Sequence, residues 1–326
     1  MSAAGLVATS ALLGWLATGV FLALARTRGW GKAVRRDGPR GHLAKEGTPT
    51  MGGAPFLAAA TVIMAAVLAS GAALPTPLPG RASPPPADLA GAGGWAVLAL
   101  IVASAVLGLW DDLTSLRRKR SLAAGEDAST GVLARWRLVG QGAVALAFAS
   151  WAVASGRELF GVPWLDVLGL AFVIVGTVNA LNMTDGLDGL AAGVSATMLL
   201  AFWGDPLAAA LLGSLLGFLW FNAHPARLFM GGVGAEALGA AIAGLAIVHG
   251  DVWRIPILAV VPLLEVVSVI VQVAWFRATG GRRLLRMSPL HHHFELSGWP
   301  ETRVVLRFWI VTALATALAV ASRGWW

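Results

Sequence analysis

Apolar residues fall in ten long runs, at about 3–25, 52–70, 94–110, 137–155, 164–182, 189–203, 206–221, 236–250, 255–276 and 304–322. A helix that crosses about 30 Å of hydrocarbon needs roughly 20 such residues. The pattern predicts an all-α integral membrane protein with about ten transmembrane helices. Short polar stretches part the runs, and no repeat or second soluble block interrupts them, so residues 1–326 are expected to form one polytopic membrane domain. The first run carries no Lys or Arg on its N-terminal side, from Met1 to Gly5, and its basic residues follow it. It therefore reads as a first membrane helix, not as a cleavable signal peptide.

The basic residues orient the bundle. Loop 26–51 holds Arg26, Arg28, Lys32, Arg35, Arg36, Arg40 and Lys45, and loop 111–137 holds Arg117, Arg118, Lys119, Arg120, Arg135 and Arg137. Arg227 follows the seventh run, and Arg277, Arg282, Arg283, Arg286, Arg303 and Arg307 surround the start of the tenth. Only Arg81, Arg157, Arg254 and Arg323 fall in the alternate loops. By the positive-inside rule, ten alternating spans place both termini outside and the basic loops in the cytoplasm. The longest outer loop, Leu74 to Gly94, is rich in proline and reads as an irregular linker.

Composition sharpens this picture. Charged residues are 13% and hydrophobic residues 57% of the chain, against about 25% and 45–50% in a soluble domain. That balance excludes an ordinary soluble protein, a disordered chain and a nucleic-acid-binding domain. The net charge of +7 belongs to the inner loops. There is no Cys, hence no disulfide and no thiolate chemistry.

Five polar clusters, all at expected cytoplasmic ends of spans, are candidates for chemistry, because charge near a bilayer is costly and usually functional. Asp111 and Asp112 leave the third run together; they can hold a hard cation, one can act as a base, or they can be a solvated helix end. Asn179, Asn182 and Asp185 recur every three residues and share a helical face, a spacing that Asp188 continues. Gly186 and Gly189 allow a tight turn or a close approach to a ligand there. Lys45, Thr48, Thr50, Gly52 and Gly53 suit phosphate oxygens or form a flexible basic loop. His291, His292 and His293 suit a metal, an anion or solvent, and the surrounding arginines favour an anion. The stretch Phe221-Asn222, followed by Phe229 and the glycines 231, 232 and 234, suits base stacking or interfacial packing.

These residues resemble a known family. KEGTPTMGG at 45–53, GLWDDL at 108–113, NALNMTDGLDGLA at 179–191, GFLWFNAHPA at 217–226 and PLHHHFELSGWPE at 289–301 are similar to the motifs of the phospho-N-acetylmuramoyl-pentapeptide transferases, within the polyprenyl-phosphate N-acetylhexosamine-1-phosphate transferases. The resemblance covers nearly the whole chain. It implies a bacterial inner (plasma) membrane protein, usually a homodimer, with a cytoplasmic active-site cleft. The implied reaction moves phospho-MurNAc-pentapeptide from UDP-MurNAc-pentapeptide to undecaprenyl phosphate, giving lipid I and UMP, with Mg²⁺. Asp111 is then the residue that deprotonates the lipid phosphate, with Asp112 beside the diphosphate. Asp185 shapes the metal–diphosphate site, with Asp112 as its metal-side partner and Asn182 and Asn179 nearby. Gly186, Leu187 and Asp188 line the uracil pocket and Phe229 stacks on the base. Lys45, Thr50 and Asn222 contact nucleotide or phosphate, and His291, with His292 and His293, faces the phosphates.

The chain departs from the family at four places. Gly232 stands where the family has an Asp important for Mg²⁺, and Ala235 where it has Ser. Ser115 and Thr130 stand where it has Lys. Glu236, one helical turn past Gly232, is a further candidate carboxylate for the metal. A sister transferase for another UDP-linked hexosamine and a catalytically silent, ligand-binding paralogue are the competing readings. A transporter fits less well, since the polar clusters gather at one face and not at the midplane.

Overall fold

The computed structural model describes residues 2–30, 45, 47–71, 91–123 and 131–324, with backbone alone for 117–123 and 131–134. The basic residues at 32–40, Arg81 and Thr130 lie outside the described residues. The described chain is helical: α1 Ala3–Thr27, α2 Gly53–Ala69, α3 Ala92–Ala123, α4 Gly131–Ala154, α5 Pro163–Thr184, α6 Leu190–Leu199, α7 Pro206–Asn222, α8 Gly232–His249, α9 Ile255–Leu258, α10 Val260–Ala278, α11 Leu290–Leu296 and α12 Glu301–Ala321. Seven of these are apolar and long enough to cross a membrane, and three shorter apolar helices accompany them, Gly53–Ala69, Leu190–Phe202 and Pro206–Asn222. The chain is a multi-pass integral membrane protein, and each expected run is a helix.

Small residues set the packing. Helix α8 is buried from Val233 to His249, and its sequence is mostly Gly and Ala. Without a water-driven force between helices in lipid, close van der Waals contact holds them, and small residues permit it. A Cβ at Gly239 would meet the backbone of Val178 on α5, one at Gly108 would meet the Gly232 carbonyl, and one at Gly53 would meet Gly234. Helices α2, α3 and α5 thus lie directly on α8. Helix α1 lies on α7 in the same way, with Gly213 against the Val7 carbonyl and Gly14 against Ser214. The outer faces are apolar: Leu12, Leu16, Val20, Phe172, Ile270 and Leu314 are among the exposed large side chains.

Two elements differ from the apolar pattern. The run 255–276 is broken, because Pro262 has no N–H to offer the Leu258 carbonyl and its ring crowds that position. Helix α9 stops at Leu258, and α10 begins at Val260. Helix α3 continues past its apolar run to Ala123, so Asp111 and Asp112 lie within a helix and not at its end.

Consecutive long helices alternate in direction, which gives the bundle two polar ends. At one end α7 starts and α8 and α12 finish. There Asp205 caps α7 through Leu207 N (2.7 Å) and meets His249 Nε2 at 3.0 Å, while Asp251 binds both Arg254 and Arg323. At the other end α3, α5 and α7 finish and α2, α6, α8 and α12 begin, and the candidate residues collect there.

Candidate active site

The site has two halves, joined by the segment from Asn222 to Gly232. In the first half, residues 49–53 run beside this segment. Phe229 N donates to the Pro49 carbonyl, Gly52 N to the Phe229 carbonyl and Gly53 N to the Met230 carbonyl, each at 2.8 Å. Trp30, at the end of α1, accepts from Thr50 N at 3.2 Å. The two glycines are required because side chains there would overlap Phe218 and the backbone of α8. This pairing delivers Gly231 and the first turn of α8 to Asp112. The Asp112 Oδ1 accepts from Gly232 N at 3.0 Å and Oδ2 from Val233 N at 3.1 Å.

Next to it, Asp111 Oδ2 pairs with Arg137 Nη1 from α4 at 3.1 Å. Both side chains are partly exposed. Gly232 has ordinary helical backbone, and a Cβ there would lie 3.5 Å from Asp112 Oδ1, so a side chain fits with small adjustment. Glu236 is fully buried one turn deeper, with Oε1 at 3.9 Å from Arg137 Nε. Ser115 is exposed on the next turn of α3. On the side of α3 that carries Leu109 and Leu113, next to Asp112, lies an apolar cavity of about 390 Å³, lined also by Phe21, Trp30 and Met51 among others.

The second half is the turn 185–189. Helix α5 ends at Thr184, and Asp185 leaves helical geometry at φ −78°, ψ 56°. Gly189, with φ +76°, starts α6 in the left-handed region. The three-residue spacing of Asn179, Asn182 and Asp185 therefore does not extend as a helix to Asp188. Instead the turn directs Asp188 inward, where its Oδ1 binds Lys45 Nζ at 2.7 Å and its Oδ2 meets His224 Nδ1 at 3.1 Å and Ala226 N at 3.0 Å. Glu301, on the first turn of α12, accepts from Lys45 Nζ at 2.6 Å and from Asp188 N at 2.7 Å. Asn222 ties the two strands of the pocket, accepting from Gly189 N at 3.2 Å and donating to the Leu228 carbonyl at 2.9 Å.

His291 closes this half. Its imidazole lies against Gly186 so closely that any Cβ at 186 would overlap it. Glu265 on α10 fixes the ring through Nδ1 at 3.0 Å, and the buried Nε2 has no hydrogen-bond partner. That nitrogen faces Gly186 in the turn.

Other candidate residues serve the framework. Asn179 donates to Gln141 on α4 at 2.9 Å and to the Val175 carbonyl, so it links α5 to α4. His292 meets Glu295 at 2.7 Å, and His293 Nδ1 accepts from Arg286 N at 3.1 Å, holding the loop before α11. Leu187 and Thr50 are buried, while Phe229 and Asn182 are partly exposed. Glu301, His224 and Glu265 were not among the residues selected from sequence. A lone carboxylate in the apolar run 255–276 was the available signal for Glu265.

Among the described residues, one group of side chains presents cation-binding atoms close together. Asp188, His224 and Glu301 bring one ligand atom each within 4.8 Å of one another. Lys45 already supplies the positive charge there, at 2.7 Å from Asp188 and 2.6 Å from Glu301.

The structure is thus a bundle of apolar helices that gathers carboxylates, a lysine and an imidazole at one polar end. Residues 94–250 match the family described as glycosyl transferase family 4. The chain is 43% identical over 330 residues to a phospho-N-acetylmuramoyl-pentapeptide-transferase of Deinococcus radiodurans, covering 98% of each chain. It is 43% identical over 322 residues to the protein so named in Deinococcus deserti, covering 97% of each. For that of Desulforudis audaxviator the identity is 40% over 326 residues, covering 90% of this chain and 89% of the relative. The chain belongs to the phospho-N-acetylmuramoyl-pentapeptide-transferase family.

Proposed function

We propose that the chain transfers phospho-MurNAc-pentapeptide from UDP-MurNAc-pentapeptide to undecaprenyl phosphate, giving lipid I and UMP at the cytoplasmic face of the bacterial inner membrane. The observation that carries this reading is the placement of Asp112 between Leu109 and Leu113, which line an apolar cavity, on the same end of the bundle as the Lys45–Asp188–Glu301 pocket. A lipid acceptor and a polar nucleotide donor need those two environments side by side.

In this reading Asp111 removes the proton from the lipid phosphate. The freed oxygen attacks the β-phosphorus of the donor, a new P–O bond forms, and the bond to the UMP phosphate breaks. Asp111 reaches this role because Arg137 holds its carboxylate in place. The 186–189 turn, Asn222 and Phe229 hold the uridine, and Lys45 and His291 Nε2 meet phosphate or base oxygens. Asp112 and Asp185 would hold Mg²⁺, which would supply positive charge to offset the repulsion between an anionic nucleophile and an anionic diphosphate.

The test is UMP release by the purified protein with UDP-MurNAc-pentapeptide, undecaprenyl phosphate and Mg²⁺. Turnover that chelation abolishes and Asp111→Ala abolishes supports the reading. Gly232 favours one second reading, a chain that binds the donor without turning it over. No release by the wild-type chain, with release by Gly232→Asp, would establish that reading instead.

A further inference from the structure

Glu236 is the charged group that the fold itself least explains. It sits on the second turn of α8 and is 0% exposed, and neither carboxylate oxygen receives a hydrogen bond. Gln141 lies alongside without a well-formed bond to it. The neighbouring cation, Arg137, holds Nε at 3.9 Å and places Nη1 on Asp111 at 3.1 Å. Buried polar groups are normally satisfied, and a carboxylate within a membrane helix is costly unless something cationic completes it.

Its position points to what that is. Side chains on a helix lean toward its N-terminus. From one turn beyond Gly232, the Glu236 carboxylate is therefore directed back toward the turn that Asp112 closes. At that turn Gly231, Gly232 and Gly234 contribute no side chain, although a Cβ at Gly232 would lie only 3.5 Å from Asp112 Oδ1. The carboxylate that α8 lacks at its first position is present four residues later, on a side chain one methylene longer.

We propose that Glu236 is a ligand of the divalent cation, acting with Asp112 and reaching the ion from one turn deeper in α8. This rests on the metal-dependent transferase reading above, but it is tested by metal binding itself. The competing role, a buried counter-ion for Arg137 alone, requires no metal.

The experiment is a Mn²⁺ titration of the detergent-purified full chain, followed by the electron paramagnetic resonance signal of free Mn²⁺, with and without UMP. Glu236→Gln is expected to weaken Mn²⁺ binding at least tenfold, and Gly232→Asp added to it to restore most of the loss. Binding by Glu236→Gln equal to wild type, with an unchanged melting temperature, would overturn the proposal. So would the absence of specific Mn²⁺ binding by the wild-type chain in both conditions. If Glu236→Gln is not recovered folded, Glu236→Leu is read in the same way, and an unchanged Kd again overturns it. Transfer activity is measured in parallel. Mg²⁺-dependent turnover with Glu236-independent Mn²⁺ binding sinks this inference alone. Glu236-dependent binding without turnover sinks the transferase reading alone.

Discussion

Asp112 on α3 accepts from the backbone N–H groups of both Gly232 and Val233, and so caps α8 from a neighbouring helix. The residue before that helix, Gly231, has no side chain with which to do so. Asp112 therefore has a structural duty beside the chemical one proposed for it. Asp112→Ala is expected to lose transfer and also about 1–2 kcal/mol of stability, the usual cost of an empty N-cap. A thermal melt of the solubilised protein checks this, and an unchanged melting temperature would show that the cap is dispensable.

Asp111 should behave differently. Its ion pair with Arg137 is partly exposed, and such pairs contribute about 0–1 kcal/mol. Asp111→Asn is expected to lower the rate of UMP release by about 10²–10⁴-fold, the range for loss of a positioned base, with little change in melting temperature. Full activity in this variant would remove Asp111 from the mechanism.

Gly186→Ala introduces a methyl group where the His291 ring already lies. The ring cannot move aside without breaking the Glu265 contact at 3.0 Å in a buried setting. The expected result is a fall of at least about tenfold in kcat, in the range associated with a misplaced catalytic group. Steady-state kinetics of this variant beside Gly142→Ala, where a Cβ meets nothing within 4 Å, separates the local clash from a general loss of helix packing.

Glu301→Gln removes one of the two carboxylates on Lys45 and weakens the acceptor for Asp188 N. Hydrogen bonds to charged groups contribute about 1.5–3 kcal/mol. KM for the UDP-linked donor should rise about tenfold or more, with kcat within a few-fold of wild type. An unchanged KM would show that the pocket does not depend on α12.

The helices were legible because lipid permits few alternatives: a long apolar run must satisfy its own backbone, and it does so as a helix. Asp111, Asp112 and Asp188 were legible for the complementary reason, as charges next to such runs. The break before α10 depended on Pro262 inside a run whose composition otherwise favoured continuity. Glu301 and His224 escaped notice because their importance lies in whom they meet, across more than 70 residues of sequence in the case of Glu301 and His224 (Glu301 Oε2 to His224 Nδ1, 3.6 Å). Asn179 shares a helical face with Asn182, yet it turns to Gln141 on α4; spacing gives direction around a helix, not the identity of the neighbour.

If the proposed function holds, Lys45 makes the nucleotide pocket its own counter-ion. An arriving phosphate or carbonyl finds an ammonium already engaged by two carboxylates, and gains it only by exchange. Affinity at this point is then a difference between two sets of partners, smaller than either set alone. The same exchange runs in reverse when UMP departs: Asp188 and Glu301 stand ready to reclaim the lysine, so a site selective enough to recognise its donor need not hold on to the spent nucleotide.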